Sequence, residues 1–170
     1  MAQVSADALE RARRLRLVVF DVDGVLTDGR LWYGPHGEAL KAFHVLDGHG
    51  LKLLADRGIG AALLSGRSSP AVAQRAAELG LRHVMQGVAD KRPAFDGLLA
   101  GLGLAAAQAG YMGDDLPDLP VLAHCGFACA PRAAHARVLR LAHYVADADG
   151  GRGAAREVCE YVLRAQGHEP

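Results

Sequence analysis

The sequence predicts an α/β protein: a Rossmann-like parallel sheet with helices on both faces and a β-hairpin inserted after the first strand. Short apolar segments alternate with helical segments along most of the 170 residues, and such alternation is typical of parallel sheets with right-handed crossovers. The first apolar run, Leu17 to Phe20, suits a strand that is buried on both faces. Because no linker or repeat interrupts the chain, we expect a single domain over residues 1–170.

Capping and turn residues indicate where the elements begin. Ser5 is a predicted N-cap of the first helix, Asp47 is a predicted cap of the second, and Pro70 suits the first turn of the third. The predicted helices cover residues 6–14, 48–57, 70–79, 91–100, 105–108, 118–124, 133–141 and 154–165. The predicted strands of the sheet cover residues 16–21, 59–64, 83–86, 109–112, 126–130 and 143–145.

Residues 29–45 interrupt this alternation and predict the hairpin. The sequences RLWYG and EALKAFHV have the character of two strands, and the turn-forming residues 34–37 join them. The hairpin carries Trp32, Tyr33 and Phe43. Since projecting hairpins with large apolar side chains often form oligomer contacts, we expect these three residues to contact another subunit rather than their own domain.

Composition argues against several classes of function. The 19 basic and 19 acidic residues give a net charge of zero, which disfavours non-specific nucleic-acid binding. No apolar run approaches the roughly 20 residues that a membrane span needs. The N-terminal residues 1–16 lack the apolar core of a signal peptide, so a cytoplasmic location is expected. Cys125, Cys129 and Cys159 form no C-x-x-C pair and are expected as small buried residues rather than zinc ligands.

Polar residues collect where the predicted strands end, which is the edge at which open parallel sheets bind ligands. They include carboxylates, a hydroxyl and a lysine, in chain order Asp21, Asp23, Ser65, Lys91, Asp114 and Asp115. Carboxylates at this edge can hold Mg²⁺, and a hydroxyl, backbone N–H groups and a lysine bind phosphate oxygens. A carboxylate can also be a covalent nucleophile. The set therefore predicts metal-assisted phosphoryl transfer.

Each of these features alone has an ordinary structural explanation. A lysine at a helix start is usually a solvated side chain, and the sequence Gly-Asp-Asp after a strand is more often a turn than a metal site. The sequence contains no P-loop and no G-x-S-x-G motif, which leaves a P-loop kinase and a serine hydrolase unsupported. The order of the features and their placement at strand ends carry the prediction.

The sequences FDVDGVLTDG, LLSGR and GDDLPD, together with Lys91, resemble the four motifs of the haloacid dehalogenase superfamily of phosphatases. The resemblance implies that Asp21 is the nucleophile and that Asp23 is the general acid and base. It also implies that Mg²⁺ is held by Asp21, the backbone carbonyl of Asp23, and Asp114. Lys91 would offset charge in the transition state.

The same resemblance implies roles for five further residues. Ser65, Gly66 and Arg67 would contact the phosphoryl group or the substrate. Asp115 and Asp118 would be supporting acids. Asp118, four positions after Asp114, would share its helix face and act behind the metal ligands rather than as one of them.

The finer resemblance is to the small, capless branch that acts on sugar-acid phosphates, carried by DGVLTDG, GEALKAFHVLDGHGL, QGVADK and GGRGAAREVCEYVL. It implies a homotetramer through the hairpin and 3-deoxy-D-manno-octulosonate 8-phosphate as the substrate. Arg152 would pair with the carboxylate of this eight-carbon sugar, whereas enzymes for nine-carbon sialic-type sugars carry an acidic residue there. Leu46 and His49 stand where arginine and tyrosine are usual in this branch.

Two alternatives remain open from the sequence. The substrate can be the nine-carbon 9-phosphate. The chain can also be a non-catalytic assembly module, because the same fold occurs fused to sugar nucleotidylyltransferases; the intact set of predicted site residues argues against this. A kinase or mutase lacks support, since neither a nucleotide motif nor a cap domain is evident.

Overall fold

Eight strands and seven α-helices form over residues 5–170, the part of the chain that the computed structural model describes. The strands are β1 (Leu17–Phe20), β2 (Trp32–Gly34), β3 (Gly37–Leu40), β4 (Gly60–Leu64), β5 (His83–Met85), β6 (Ala109–Met112), β7 (Phe127–Ala130) and β8 (Tyr144–Val145). The helices are α1 (Ala6–Arg13), α2 (Val45–Asp56), α3 (Pro70–Glu78), α4 (Lys91–Leu102), α5 (Leu119–Leu122), α6 (Ala136–Leu141) and α7 (Ala154–Ala165).

Six of the strands form one parallel sheet in the order β5-β4-β1-β6-β7-β8, and β2 pairs with β3 in a separate antiparallel hairpin. The strand β1 lies in the middle, where Val18 is in register with Ala61 of β4 and Gly110 of β6. The carboxyl ends of β4, β1 and β6 therefore lie side by side. The predicted fold class, an α/β sheet with a hairpin insertion, is confirmed.

The apolar run of β1 is explained by helices on both faces of the sheet. Val18 and Phe20 belong to a core shared with α1, α2, α3 and α7. Leu17 and Val19 point to the opposite face and belong to a second core with α4, α5 and α6. Successive side chains of a strand point to opposite faces, and helices cover both faces of this sheet, so all four residues are buried. Within residues 5–170, none of the helices has the length and apolar character that a membrane span requires.

The hairpin is shorter than predicted. Its second strand ends at Leu40 instead of continuing to residue 45, and α2 begins at Val45 because the Nδ1 atom of His44 accepts a hydrogen bond from the backbone N–H of Leu46 at 3.2 Å. Phe43 packs against the core of its own domain, so the expectation that it faces another subunit is wrong.

Asp47 is not the cap of α2, contrary to the prediction. It lies buried in the first turn of that helix, and its carboxylate accepts hydrogen bonds from the backbone N–H groups of Gly153 (3.2 Å) and Arg156 (2.9 Å). These are among the N–H groups that a helix leaves without partners at its start. Asp47 therefore caps α7 from α2 and fixes the loop in front of α7.

Other boundaries shift for local reasons. The predicted helix over residues 118–124 divides into a 3₁₀ turn (Leu116–Asp118) and the short helix α5, since Pro117 and Pro120 have no backbone N–H to donate to a helix. The helix predicted from residue 133 begins at Ala136, where the side chain of His135 caps it. The predicted segment over residues 105–108 is a 3₁₀ turn. The three cysteines are free and buried, as expected.

Candidate active site

Two carboxylates meet at the carboxyl edge of the sheet because β1 and β6 are parallel neighbours. Asp21 directly follows β1, is 7% exposed, and donates its backbone N–H to the carbonyl of Met112 at the end of β6, at 2.9 Å. Asp114 lies two residues after β6 and is half-buried. Carboxylate oxygens of Asp21, Asp114 and Asp118 lie within 4.8 Å of one another. The structure thus brings together acids that are far apart in sequence.

Lys91 points into this cluster from the first position of α4. Its ammonium lies 2.9 Å from an oxygen of Asp21 and 2.7 Å from an oxygen of Asp118. The side chain is buried, so the alternative of a solvated lysine at a helix start is wrong. Burial lowers the pKa of Lys91, but Asp21 and Asp118 outweigh it, and the pKa lies above its ordinary value. Lys91 therefore carries a positive charge beside Asp21.

Asp118 accepts hydrogen bonds from four donors. One oxygen accepts from Lys91 at 2.7 Å and from the hydroxyl of Tyr111 at 2.6 Å. The other accepts from the backbone N–H groups of Asp114 at 3.0 Å and Asp115 at 3.2 Å. Asp114 precedes the 3₁₀ turn that ends at Asp118, so the prediction that the two share a helix face is wrong. Asp118 instead fixes the backbone of the loop that carries Asp114.

Tyr111 was not among the sequence candidates. It is a fully buried residue in the middle of an apolar strand. Buried hydroxyls need a hydrogen-bond partner, and that of Tyr111 donates to Asp118. A tyrosine two residues before the Gly-Asp-Asp sequence is the signal that could have indicated it. Asp115, in contrast, has an exposed side chain.

The acids of this cluster raise one another's pKa. Burial, and then the repulsion from Asp118, raises the pKa of Asp21 to about 6. Burial, followed by the charges of Asp21 and Asp118, raises the pKa of Asp114 to about 7. One ammonium group does not compensate two buried carboxylates and a half-buried one. The site therefore favours a further cation.

A divalent cation fits the donor set. Both oxygens of Asp118 are occupied by donors, which leaves Asp21 and Asp114 with free carboxylate oxygens. The backbone carbonyl of Val22 accepts hydrogen bonds from the N–H groups of Val25, Leu26 and Thr27. In contrast, no backbone N–H of a turn or loop within residues 5–170 donates to the carbonyl of Asp23, which can therefore face a metal ion. Hard oxygen ligands of this kind suit Mg²⁺.

Gly24 allows the loop after β1 to approach Asp114. Its φ of +91° lies in the left-handed region, and a Cβ there would collide with the Asp114 carboxylate. The hydroxyl of Thr27 accepts from the N–H groups of Gly24 (3.4 Å) and Gly29 (3.2 Å) and so holds the loop. The Asp23–Gly24 peptide consequently lies against the acid cluster.

The loop after β4 brings a hydroxyl to the same edge. Leu63 of β4 is in register with Phe20 of β1, so Ser65 and Asp21 both follow the ends of adjacent strands. Ser65 is buried, donates its backbone N–H to Met85 at 2.8 Å, and accepts at its hydroxyl oxygen from the N–H of Arg67 at 3.3 Å. Gly66 is exposed beside it.

The hairpin reaches this site through Lys41 and Glu38, which the sequence did not single out, and through the hydroxyl of Tyr33. The ammonium of Lys41, just after β3, contacts the carboxylate of Asp23 and lies 3.3 Å from Glu38. Arg67, predicted to bind the phosphoryl group or the substrate, donates to the hydroxyl of Tyr33 at 3.1 Å and lies 3.6 Å from Glu38. The hairpin is thus tied to the ends of both β1 and β4.

Arg152 lines a cavity of about 270 Å³ next to Asp114. The lining residues are Gly24, Asp28, Gly29, Arg30, Asp114, Pro131, Ala133, Asp149, Gly150 and Arg152. Gly150 packs so closely on the Gly24 carbonyl that a Cβ would collide with it. Arg152 therefore lies at the mouth of the site, with Arg30 as a second cation that sequence reasoning missed. A larger cavity of about 490 Å³, lined by Arg16 and Arg82 among others, lies at the opposite edge of the sheet.

The site combines four features: Asp21 after β1, Asp114 two residues after β6, the buried Lys91 beside Asp21, and the hydroxyl of Ser65 after β4. This combination defines a phosphatase of the haloacid dehalogenase superfamily. No protein-family model matches the chain. A curated relative, 3-deoxy-D-manno-octulosonate 8-phosphate phosphatase KdsC of Yersinia pestis, is 45% identical over 163 residues, which are 96% of this chain and 87% of the relative. The chain belongs to the family of 3-deoxy-D-manno-octulosonate 8-phosphate phosphatases.

Solved structures agree with this membership. The crystal structure of the Yersinia pestis phosphatase has a TM-score of 0.94 at 45% identity and covers 96% of this chain and 89% of its own. The enzyme of Moraxella catarrhalis, solved with a magnesium ion, a phosphate ion and the octulosonate, has a TM-score of 0.92 at 41% identity and covers 95% and 92% of the two chains. The predicted family and enzyme class, a phosphoric monoester hydrolase, are confirmed.

Proposed function

We propose that the chain is an Mg²⁺-dependent phosphatase that hydrolyses 3-deoxy-D-manno-octulosonate 8-phosphate to octulosonate, a lipopolysaccharide precursor, and phosphate. The observation that carries the proposal is the buried pair of Asp21 and Lys91 at 2.9 Å, beside Asp114, in a chain of this family. The pair provides a nucleophile next to a fixed positive charge at the edge where β1 ends. Asp21, Asp114 and the Asp23 carbonyl are the residues that would hold the ion, which when bound neutralises charge on the phosphoryl group.

In the first step, a carboxylate oxygen of Asp21 attacks phosphorus. The bond from phosphorus to the sugar oxygen breaks, and Asp23 donates a proton to that leaving oxygen. The hydroxyl of Ser65 and the backbone N–H of Gly66 bind phosphoryl oxygens, and Lys91 stabilises the charge that develops on them. The sugar leaves as a neutral alcohol, and Asp21 carries the phosphoryl group.

In the second step, water attacks the aspartyl-phosphate. Asp23, now ionised, takes a proton from the water as its oxygen bonds to phosphorus. The bond between phosphorus and Asp21 breaks, and inorganic phosphate leaves. Both carboxyl groups return to their initial states, so the net reaction consumes one water for each ester.

The sugar acid contacts residues at the mouth of the site. The guanidinium of Arg152, which lines the cavity beside Asp114, pairs with the carboxylate of the sugar acid. Leu46 and His49 lie exposed at the start of α2 and depart from the pattern that is usual in this branch. Because this departure leaves the exact sugar acid open, the second candidate function is the phosphatase of a nine-carbon sialic-type sugar acid.

A substrate panel tests the proposal. Phosphate release is measured with Mg²⁺ on the eight-carbon 8-phosphate, the nine-carbon 9-phosphate and simple sugar phosphates, with Asp21→Asn as the inactive control. A preference in kcat/KM for the eight-carbon ester supports the proposal, and a preference for the nine-carbon ester supports the second candidate. No turnover of any sugar-acid phosphate contradicts both and leaves the non-catalytic assembly module. Turnover by Asp21→Asn equal to that of the natural chain contradicts the covalent mechanism.

We also propose that the hairpin joins subunits into a homotetramer. Large apolar side chains are exposed on the hairpin and the start of α2, among them Trp32 (53%) and Tyr33 (64%). The full set is Leu31, Trp32, Tyr33, Leu40, Val45 and Leu46. Exposed apolar patches of this kind support a protein interface. Light scattering at micromolar concentration tests the assembly, and a monomer would contradict it.

Two further expectations stay proposals. A single domain over residues 1–170 predicts one cooperative unfolding transition by two spectroscopic probes; two separated transitions would contradict it. A cytoplasmic location, expected from the mixed charge of residues 1–16, predicts that cell fractionation recovers the chain with cytoplasmic markers.

A further inference from the structure

Lys41 has a buried charge that the reaction steps above do not use. Its side chain is 1% exposed, although it lies in the segment between the hairpin and α2. Removing an ammonium group from water is costly unless negative groups compensate it. The partners are the carboxylates of Asp23 and Glu38. Lys41 is therefore an ion-paired interior group, and one of its two partners is the proposed acid and base.

Glu38 fixes Lys41 in this position. A carboxylate oxygen of Glu38 lies 3.3 Å from the ammonium of Lys41 and 3.6 Å from the guanidinium of Arg67. The Ser69 hydroxyl, and after it Lys41, lowers the pKa of Glu38, so this partner is ionised. Arg67 also donates to Tyr33 at 3.1 Å. Lys41 is consequently held from the hairpin side and reaches Asp23 with little freedom to move.

Asp23 needs such a partner because its own position gives it freedom. Its carboxylate is 19% exposed, at the turn that follows β1. The two proposed proton transfers require one oxygen of this carboxylate to face first the leaving oxygen and then the attacking water. A charge-assisted hydrogen bond to the other oxygen restricts rotation of the side chain. General bases act only within hydrogen-bond reach of the proton that they take.

We propose that Lys41 is the positioning residue for Asp23, and that the hairpin is thereby part of the catalytic apparatus of its own subunit. The proposal rests on the proposed function, because it assigns Asp23 the two proton transfers. Lys41 itself exchanges no proton or bond with the substrate. Its loss leaves Asp21, Ser65 and Lys91 in place and affects the steps that need Asp23.

The experiment uses p-nitrophenyl phosphate with Mg²⁺ in a stopped-flow instrument. The p-nitrophenolate leaves without protonation, so the first step with this ester does not need Asp23, whereas attack by water still does. The variants are Lys41→Met, the conservative Lys41→Arg, Glu38→Gln, and Lys52→Met as a matched control at an exposed lysine of α2. Unfolding transitions are recorded for each variant.

We expect Lys41→Met to lower kcat by about 10²-fold, the loss typical of a misplaced catalytic group. KM should fall in parallel and kcat/KM should stay nearly unchanged, because the first step with this ester is unaffected. A burst of one p-nitrophenolate per active site should precede the slow steady state, since the aspartyl-phosphate accumulates. Lys41→Arg should recover most of kcat and lose the burst. Glu38→Gln removes one of the two charges that hold Lys41 and should show a smaller burst. If Lys41→Met does not fold, the presence or absence of a burst in Glu38→Gln tests the role of Lys41. Lys52→Met should behave as the natural chain.

A natural value of kcat in Lys41→Met overturns the proposal. So does a fall in kcat without a burst, because Lys41 would then act on the first step rather than through Asp23. The readout is separate from that of the proposed function. If the natural chain hydrolyses p-nitrophenyl phosphate but no sugar-acid phosphate, the proposed substrate is wrong, and the presence or absence of the burst still decides the role of Lys41.

Discussion

Replacing Asp118 with asparagine tests the central electrostatic argument about the site. The substitution keeps the shape of the side chain and removes its charge. An asparagine offers one acceptor oxygen, so it can satisfy either Lys91 and Tyr111 or the N–H groups of Asp114 and Asp115, but not all four donors. The exposed Asp115 gives the control variant, Asp115→Asn.

Two opposing effects determine the size of the loss. Breaking a buried ion pair by removing one partner typically costs about 3–5 kcal/mol of the free energy of unfolding. Without a metal, however, the substitution also relieves repulsion between Asp118 and the acids within 4.8 Å, which is about 3 kcal/mol for one pair at an effective dielectric constant of about 20. With Mg²⁺ bound this relief vanishes, because the ion compensates the charge. Asp118→Asn should therefore be far more destabilising in excess Mg²⁺ than in chelator.

The measurement is urea unfolding of both variants and the natural chain, with Mg²⁺ and with chelator. The expected difference of about 3 kcal/mol between the two conditions corresponds to about 10²-fold weaker Mg²⁺ binding, within the range for a residue that orients metal ligands. Asp115→Asn should change stability by less than about 0.5 kcal/mol in both conditions. Equal losses for Asp118→Asn with and without Mg²⁺ would refute the reasoning.

Three further predictions follow from the site and its supports. Burial and mutual repulsion raise the pKa of Asp114 to about 7 and that of Asp21 to about 6, so protons compete with Mg²⁺ for these carboxylates below neutral pH. Calorimetric titration should show the affinity for Mg²⁺ falling as pH decreases from 8 to 5.5, with protons released when the ion binds. Asp47→Ala leaves two N–H groups at the start of α7 unsatisfied and should lower the free energy of unfolding by about 2 kcal/mol in urea. Arg152→Ala should raise KM for the sugar-acid phosphate about tenfold, with a smaller change in kcat.

Controls separate these effects from general damage. In chelator, the raised pKa values mean that the folded chain binds more protons than the unfolded chain, so stability should increase as pH falls from 8 towards 5; the opposite slope contradicts the assignment. Asp56→Ala, an exposed acid of α2, should leave stability nearly unchanged, and an equal loss would argue against the cap. Arg152→Ala should leave KM for p-nitrophenyl phosphate unchanged, since that ester has no carboxylate.

The sequence predicted the sheet well because its signals are local and periodic. A run of four apolar residues such as Leu17 to Phe20 suits a strand covered on both faces. Glycines and caps marked the helix ends, and α7 was predicted with its observed bounds. Some helix starts differ from the prediction because more than one nearby residue can cap the helix. In α2, the side chain of His44 is the N-cap, so the helix begins three residues before the start that was predicted from Asp47.

The positions of Asp21, Ser65 and Asp114 could also be predicted, since parallel strands bring their carboxyl ends to one edge. The predicted role of Lys91 depended on the resemblance to a family, because a lysine at a helix start has no distinctive local pattern. The resemblance likewise assigned Asp115 and Asp118 the same supporting role. Burial distinguishes them: Asp118 accepts from four donors inside the site, and Asp115 points to solvent.

The amino-acid sequence by itself determined the fold class, the edge of the sheet that carries the site, and the family. Only the tertiary structure decided which side chains support that site. Lys41 meets Asp23 across 18 positions, and Asp47 reaches the start of α7 across 106 positions. Such pairs leave no periodic trace in the sequence, because each depends on how the hairpin and helices pack on the sheet. Desolvation then gives these contacts their strength, and burial is a property of the packed molecule rather than of any segment.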